Sequence, residues 1–449
     1  MPTSPSTLLC AAARTTLLVL SLVWLCPDPA SANAVNGWNA SAGRAALAAC
    51  IAPGDDPLHE SRMYAMMHVA IHDALNAIQR RSRPYAYNAI APAGASADAA
   101  IAAAARDVLV AAIAEVPAPF PQACRDAGIA SAEADYLAAL SLIPPGPART
   151  AGIALGQASA AAILARRVGD GSDTPLQDFD FPQGTAPGEW RFTDNAPFAF
   201  APGWGDVRPF VLQHANQFRP SAPYPVTSHP YTLDFEEVKR LGGDGVTTPS
   251  DRTPDQTQAG LFWLESSPLM WNRIARGVAD SRGLDEWQAA RLFGLLNMAM
   301  ADGYVASWRV KYDVLFWRPV TAIRTADTDG NRNTTADPTW TPLQPTYPIP
   351  DHDSGHSVEG GAAAEVLKRF FGTDDISFAN CSFTLPIGSR CIDAVPVTRS
   401  FDTFTEAAEE NGLSRILVGI HFRRATDEGT QHGRKIAARA VRLFLRPVR

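Results

Sequence analysis

S-W-R-V-K-Y-D-V-L-F-W-R-P, Ser307 to Pro319, and P-I-P-D-H-D-S-G-H-S, Pro348 to Ser357, are the stretches on which the reading of this chain turns. The first sets two cations, Lys311 and Arg318, among aromatics at the end of an apolar run with helical periodicity from Leu284 to Phe316. Seven residues of helix turn through about 700°, which places the two on nearly the same face about 10 Å apart along the axis. From that spacing both can lean towards one anion, or each can pair with a carboxylate such as Asp302 or Asp313. The second stretch runs extended through prolines and opens a small-residue helix at Ser354, Gly355 and His356. Unpaired N–H groups at a helix start, a hydroxyl, and a glycine that permits close approach suit an oxyanion. His356 there either works as general acid or base or caps the turn.

A third piece, N-G-L-S-R-I-L-V-G-I-H-F-R-R from Asn411 to Arg424, carries Arg415 and His421 six apart. In unbroken helix that is about 120° of separation. Either the two reach a ligand from neighbouring sides or the helix breaks near Gly419.

Outward from these pieces the chain reads as all-α. Asp56 and Pro57 form a helix start before E-S-R-M-Y-A-M-M-H-V-A-I-H-D-A-L-N-A-I, and helical patterns follow at Ser96–Ile113, Gln122–Leu142 and Ala148–Val168. Residues from Gly169 to Gly245 change to prolines, glycines and aromatics, a long packed excursion suited to walling a cavity. Helix resumes at Thr253–Val278 and Leu284–Phe316, then at Ser354–Phe371, Phe404–Val418 and Asp427–Leu445. No strand-helix-strand alternation and no repeat occurs. The expected organisation is one domain over residues 35–449: an N-terminal bundle at about 43–170, the excursion at about 170–250, and a C-terminal bundle with the anion site at about 251–449.

With 46% hydrophobic and 19% charged residues the chain has the composition of an ordinary globular protein. A formal charge of -7 argues against nucleic acid as partner, so an anionic small molecule needs a local basic pocket. Only four lysines occur, which singles out Lys311 inside its aromatic run. The first 34 residues carry Arg14, an apolar run from Thr15 to Cys26 and A-S-A-N-A, the pattern of an export signal cleaved after Ala32 or Ala34. The run is short for a membrane span, so a secreted or periplasmic location is expected, with an uncleaved anchor as the alternative. Export leaves Cys50, Cys124, Cys381 and Cys391, which an oxidising compartment would pair as Cys381–Cys391 and Cys50–Cys124.

Weaker signals have plain alternatives. His68 and His72, four apart beside Asp73, have zinc-binding spacing but sit in a run apolar enough to be core. Asp351, His352, Asp353 and His356 form a conceivable divalent-metal cluster. Asp327 to Asn333 resembles part of a calcium loop without its distal glutamate, and reads better as a polar turn.

Together the three pieces, Lys311 to Arg318-Pro319, Ser354-Gly355-His356, and Ser414-Arg415 to His421, resemble the vanadium-dependent haloperoxidase and type-2 phosphatidic acid phosphatase superfamily. Flanking stretches such as A-D-G-Y-V-A-S-W, F-W-R-P-V-T-A-I-R and G-A-A-A-E-V-L resemble its bacterial haloperoxidase branch. The resemblance implies two four-helix bundles with the pocket at the bundle core. It implies that Lys311, Arg318, Arg415, the Ser354 hydroxyl and the Gly355 N–H hold the oxygens of vanadate, which is exchangeable with phosphate. His421 is then the axial vanadium ligand, or the nucleophile of a phosphatase, and His356 the acid/base. Trp308, three before the lysine, matches an aromatic on the halide side.

Three positions depart from the pattern. Asp353 stands where proline is usual and sets a carboxylate beside an anion site, a cost unless it is protonated or paired, with His352 or an arginine as candidate partners. Ile349 stands where fungal chloroperoxidases carry phenylalanine and algal bromoperoxidases histidine, so halide preference stays open. Ala425 replaces the aspartate expected four residues after the axial histidine, leaving Asp427 or a backbone carbonyl to orient His421. The expected function is an exported haloperoxidase-type enzyme taking hydrogen peroxide, halide and an organic acceptor. Its alternatives are an acid phosphatase using His421, and a non-catalytic phosphate- or vanadate-binding protein.

Overall fold

Twenty consecutive residues, Leu58 to Ala77, are buried in helix α2 (Pro57–Ile78), which the rest of the N-terminal half wraps. Asp56 caps it through the His59 N–H with Pro57 in the first turn, as the sequence predicts. A helix buried on every side must satisfy its polar residues internally. His59 meets Asp56 at 2.7 Å, Arg62 meets Asp170 at 2.9 Å, and His72 meets Asp73 at 2.8 Å. Around it lie α1 (Ala34–Ala48), α3 (Ala97–Ala114), α4 (Gln122–Ser141) and α5 (Pro147–Arg167). Helix α2 packs on α3 and α5, α3 on α4 and α5, and α1 on α4. The computed structural model describes residues 33–193 and 196–448, so the expected export signal lies outside them except for its last two residues.

The excursion carries two two-residue strands, β1 (Gln177–Asp178) and β2 (Ala199–Phe200), paired antiparallel, and a helix absent from the sequence reading, α6 (His229–Leu241). The helix expected at Thr253–Val278 is two, α7 (Pro254–Phe262) and α8 (Ser267–Ser281). The long α9 (Glu286–Val314) ends where Leu315 enters the left-handed region at φ 50°, and a short α10 (Pro319–Arg324) starts at its proline. Then come α11 (Gly355–Phe371), the antiparallel hairpin β3 (Asp375–Asn380) and β4 (Arg399–Thr403), α12 (Phe404–Leu417) and α13 (Arg423–Leu443).

Helices α9, α11, α12 and α13 form the second bundle, joined to the first where α2 packs on α9. Helices α11 and α13 approach closely enough that a Cβ on Gly433 would strike the Val358 carbonyl. Both expected disulfides are present, Cys50–Cys124 and Cys381–Cys391.

Candidate active site

The chain's three motif pieces meet at a cavity of about 360 Å³. Trp308, Arg318, Ile349, Gly355, His356, Arg415 and His421 all line it, and Lys311, Ser354 and Asp353 lie behind it. Lys311 and Arg318 do not share a helix face. The left-handed turn at Leu315 ends α9, and Arg318 reaches the site as the N-terminal flanking residue of α10. Neither pairs with the carboxylates weighed from sequence. Asp302 accepts backbone N–H groups of Phe210, Val211 and Leu212, and Asp313 pairs with Arg219 and Arg309.

Two buried guanidinium groups dominate the pocket. Arg318 donates from Nε to the Ile349 carbonyl at 2.6 Å and from one amino group to the Ile420 carbonyl at 2.7 Å, while its other amino group has no partner. Arg415 donates to the Trp263 carbonyl at 2.7 Å, and its Nε and second amino group find no hydrogen bond, with the Tyr347 phenol beside them. The Trp263 carbonyl is available because α7 has already ended. Burial of an unpaired charged donor costs several kcal/mol unless something negative meets it. Burial accordingly pushes Arg318 down to about 10 and Arg415 below the usual arginine range.

Lys311 points elsewhere. Its Nζ donates to the carbonyls of Pro350 and Asp351 at 2.9 and 3.0 Å, pinning the segment that carries the second motif. Burial and the neighbouring Arg318 push it down to about 7, against the pull of Asp353 and Asp351.

The partner that orients His421 is neither Asp427 nor a backbone carbonyl but Asp351, whose Oδ1 lies 2.8 Å from Nδ1. Asp427 is exposed on α13, beyond its first turn. Helix α12 ends at Leu417 and Gly419 takes φ 81°, so the break anticipated near Gly419 brings His421 round to Arg318. A proton held on Nδ1 by Asp351 leaves the Nε2 lone pair facing Arg318 at 3.0 Å and the cavity. Burial, Arg318, Lys311 and Arg415 push His421 well below the ordinary histidine range, which keeps that ring neutral. Burial and Arg415 do the same to half-buried His356, whose Nε2 has no partner.

Asp353 does not face the cavity. Its carboxylate accepts from Ser307 Oγ at 2.7 Å and meets His432 Nδ1 at 2.8 Å, so its partner is His432 of α13 rather than His352 or an arginine. His352 instead contacts the Ser221 carbonyl. Ser354 flanks α11, its hydroxyl accepting from Ser357, and a Cβ on Gly355 would lie 3.3 Å from the Trp308 ring. Trp308 itself donates to the Phe200 carbonyl.

The other candidate sites dissolve. His68 contacts Asn39 and stacks on Phe293, and burial pushes it down to about 3. Asp329 is consumed within its own turn by the Asn331 N–H and Thr334 hydroxyl. Among the described residues no group of His, Cys, Asp and Glu is arranged to hold a metal ion.

Residues 291–449 match the family of the VCPO second helical-bundle domain. The chain has the fold of a bacterial vanadium-dependent iodoperoxidase, with a TM-score of 0.73 at 24% identity over 92% of this chain and 97% of that one. The part of the chain that carries the pocket is thus similar to the second helical-bundle domain of that family. The holo form of a bacterial vanadium-dependent chloroperoxidase matches at a TM-score of 0.67 and 16% identity, over 90% of this chain and 94% of that one. The vanadium chloroperoxidase of Curvularia inaequalis is 25% identical over 282 residues, 50% of this chain and 45% of that protein, so the chain matches less than half the length of that relative. The structural likenesses, at these identities, speak for the haloperoxidase fold. The pieces that build the pocket from Trp308 onward all lie inside the matched helical-bundle domain.

Proposed function

We propose that this chain is an exported, vanadate-dependent haloperoxidase that uses hydrogen peroxide to oxidise a halide, with an organic acceptor in the apolar part of the cavity. The observation that carries this is the pair of buried arginines with unused donors, Arg318 and Arg415, beside two neutral histidines lining that cavity. Orphaned buried donors of this kind fit a tetrahedral oxyanion.

Arg318, Arg415, the first turn of α11 at Gly355 and His421 Nε2 would hold vanadate. When bound, vanadate supplies a Lewis-acid centre that activates hydrogen peroxide without a change in oxidation state. The protein's own residues then do four things. Once ionised, Asp351 accepts a hydrogen bond from the proton on His421 Nδ1, which leaves the nitrogen facing the pocket free to ligate. His356, kept neutral and with its Nε2 unpartnered at the cavity, would accept and return a proton there as general base and acid. Lys311 holds the Pro350–Asp351 backbone in register and lends it positive charge. Phe120, Leu176, Phe198, Phe200, Trp308 and Ile349 supply an apolar wall that excludes water and accommodates an organic acceptor. Export is supported by the two disulfides; a cut after Ala32 would keep the Asn33 cap of α1, and one after Ala34 would not.

The test is to give purified protein orthovanadate, hydrogen peroxide and iodide, bromide or chloride in turn, follow halogenation of a phenol dye, and measure p-nitrophenyl phosphate hydrolysis in parallel. Vanadate-dependent halogenation that disappears in His421→Ala is expected. Phosphate-ester turnover lost in His421→Ala, without halogenation, would mean that the same residues make a phosphatase. Vanadate binding with neither activity would mean a binding protein.

A further inference from the structure

A second basic pocket, of about 420 Å³, opens where the end of α5, the segment after residue 207 and the end of α13 converge. Arg166, Arg167, Arg208, Arg439, Tyr85 and Phe444 line it, and among the described residues no carboxylate does. Arg167 is already engaged, meeting Asp170 at 2.7 Å and sharing it with Arg62, with its guanidinium over the Phe210 ring. The other three make no ion pair among the described residues. Each is held by one backbone carbonyl: Arg166 by Tyr85, Arg208 by Val168 at 3.1 Å, and Arg439 by Val211 at 2.7 Å.

That arrangement differs from an ordinary surface cluster in two respects. Arg166, Arg208 and Arg439 meet at one pocket that no carboxylate lines among the described residues. Their carbonyl contacts use one N–H each of the five a guanidinium carries, so the planes are positioned while most donors stay available. The Arg208 contact also falls on a carbonyl just past α5, where the helix dipole would otherwise repel an anion. Arg166 stacks over the Tyr85 ring at 4.7 Å, which leaves an aromatic surface at the pocket's edge.

We infer that this pocket binds a dianionic tetrahedral oxyanion, phosphate or sulfate, free or as an ester whose organic part rests on Tyr85 and Phe444. The site is separate from the catalytic cavity, sharing no lining residue with it, and does not depend on the haloperoxidase reading.

Equilibrium dialysis of inorganic phosphate, and separately of inorganic sulfate, against the full chain tests this in wild type, Arg208→Ala/Arg439→Ala and Arg415→Ala. For at least one of the ions, wild type is expected to bind in a component that Arg415→Ala keeps and the double variant loses or weakens at least ten-fold. Which ion has that component distinguishes the two ligand sources. Arg208→Lys/Arg439→Lys keeps the charge but not the fork, and is expected to retain the component with lower affinity; it carries the test if the alanine variant does not fold. Binding unchanged in the double variants, a component lost only in Arg415→Ala, or no binding of either ion would overturn the proposal.

Discussion

Asp351 and Asp353 stand two residues apart, both buried, each with a histidine Nδ1 at 2.8 Å, and they are driven in opposite directions. Burial pushes Asp351 up to about 7, with Arg318 and Lys311 opposing it only in part. Burial works on Asp353 too, but the hydrogen bond and charge of His432, with His352 and Lys311, hold it down to about 2. Burial therefore does not distinguish them. The difference lies in what each pair does with its remaining atoms. Asp353 has both oxygens engaged, by Ser307 and His432, and closes a bridge between α9 and α13. Asp351 is linked through His421 to Arg318 and the cavity, so it stays responsive to what enters. One Asp–His pair is a brace and the other is part of a reactive site.

The harshest way to break that contrast is His421→Ala, expected to lower halogenation turnover at least about 1,000-fold while the fold survives, since the missing group is the side chain that would ligate vanadate. Far-ultraviolet circular dichroism alongside the dye assay checks both halves. Asp351→Asn comes next. It can still hydrogen-bond but no longer enforces the Nδ1–H tautomer, so a loss of about 100-fold in kcat/KM with little change in unfolding midpoint is expected. Should stability collapse instead, Asp351 is a brace as well.

Asp353→Pro restores the residue usual in the superfamily. It leaves the Ser307 hydroxyl and His432 Nδ1 buried without their partner, so urea unfolding is expected to show a loss of about 2 kcal/mol. Vanadate affinity, read by isothermal titration, is expected to weaken rather than tighten. Tighter binding would mean that the buried charge harms the site after all.

The smallest effect is in pH. Between pH 6 and 8 Lys311 loses its charge and Asp351 gains one, both near pH 7, so the site becomes less positive as pH rises. Vanadate affinity should fall about ten-fold across that window beyond what the ion's own titration predicts. Lys311→Met and Asp351→Asn should each flatten the fall.

The helical periodicity and the motif spacing made the bundles and most of the pocket residues legible. The errors were ones of path. Lys311 and Arg318 were expected on one helix because apolar residues continue to Phe316, but Leu315 turns left-handed and Pro319 starts a new helix, a position proline favours. Helix α6 carried a readable start, with Ser228 capping the Tyr231 N–H and a proline in the first turn, inside a stretch taken as irregular. Asp351 lay in the opening motif, yet the orienting residue for His421 was sought downstream of it. His432 could not be found from spacing at all. It meets Asp353 across 79 residues, on a helix whose facing side is decided only by packing.

Cys50 and Cys124 tie the end of α1 to the beginning of α4 across 74 residues of chain. Gly54, Asp55 and Pro57 follow one of these cysteines closely, Pro119 and Phe120 precede the other, and all five form part of the cavity wall. The covalent tie thus joins two stretches of cavity wall that belong to the N-terminal bundle, although the reactive groups belong to the C-terminal one. Opening it with a reductant is expected to loosen that wall while leaving the histidines and arginines in place, so the fit of a bulky acceptor should change before the chemistry does.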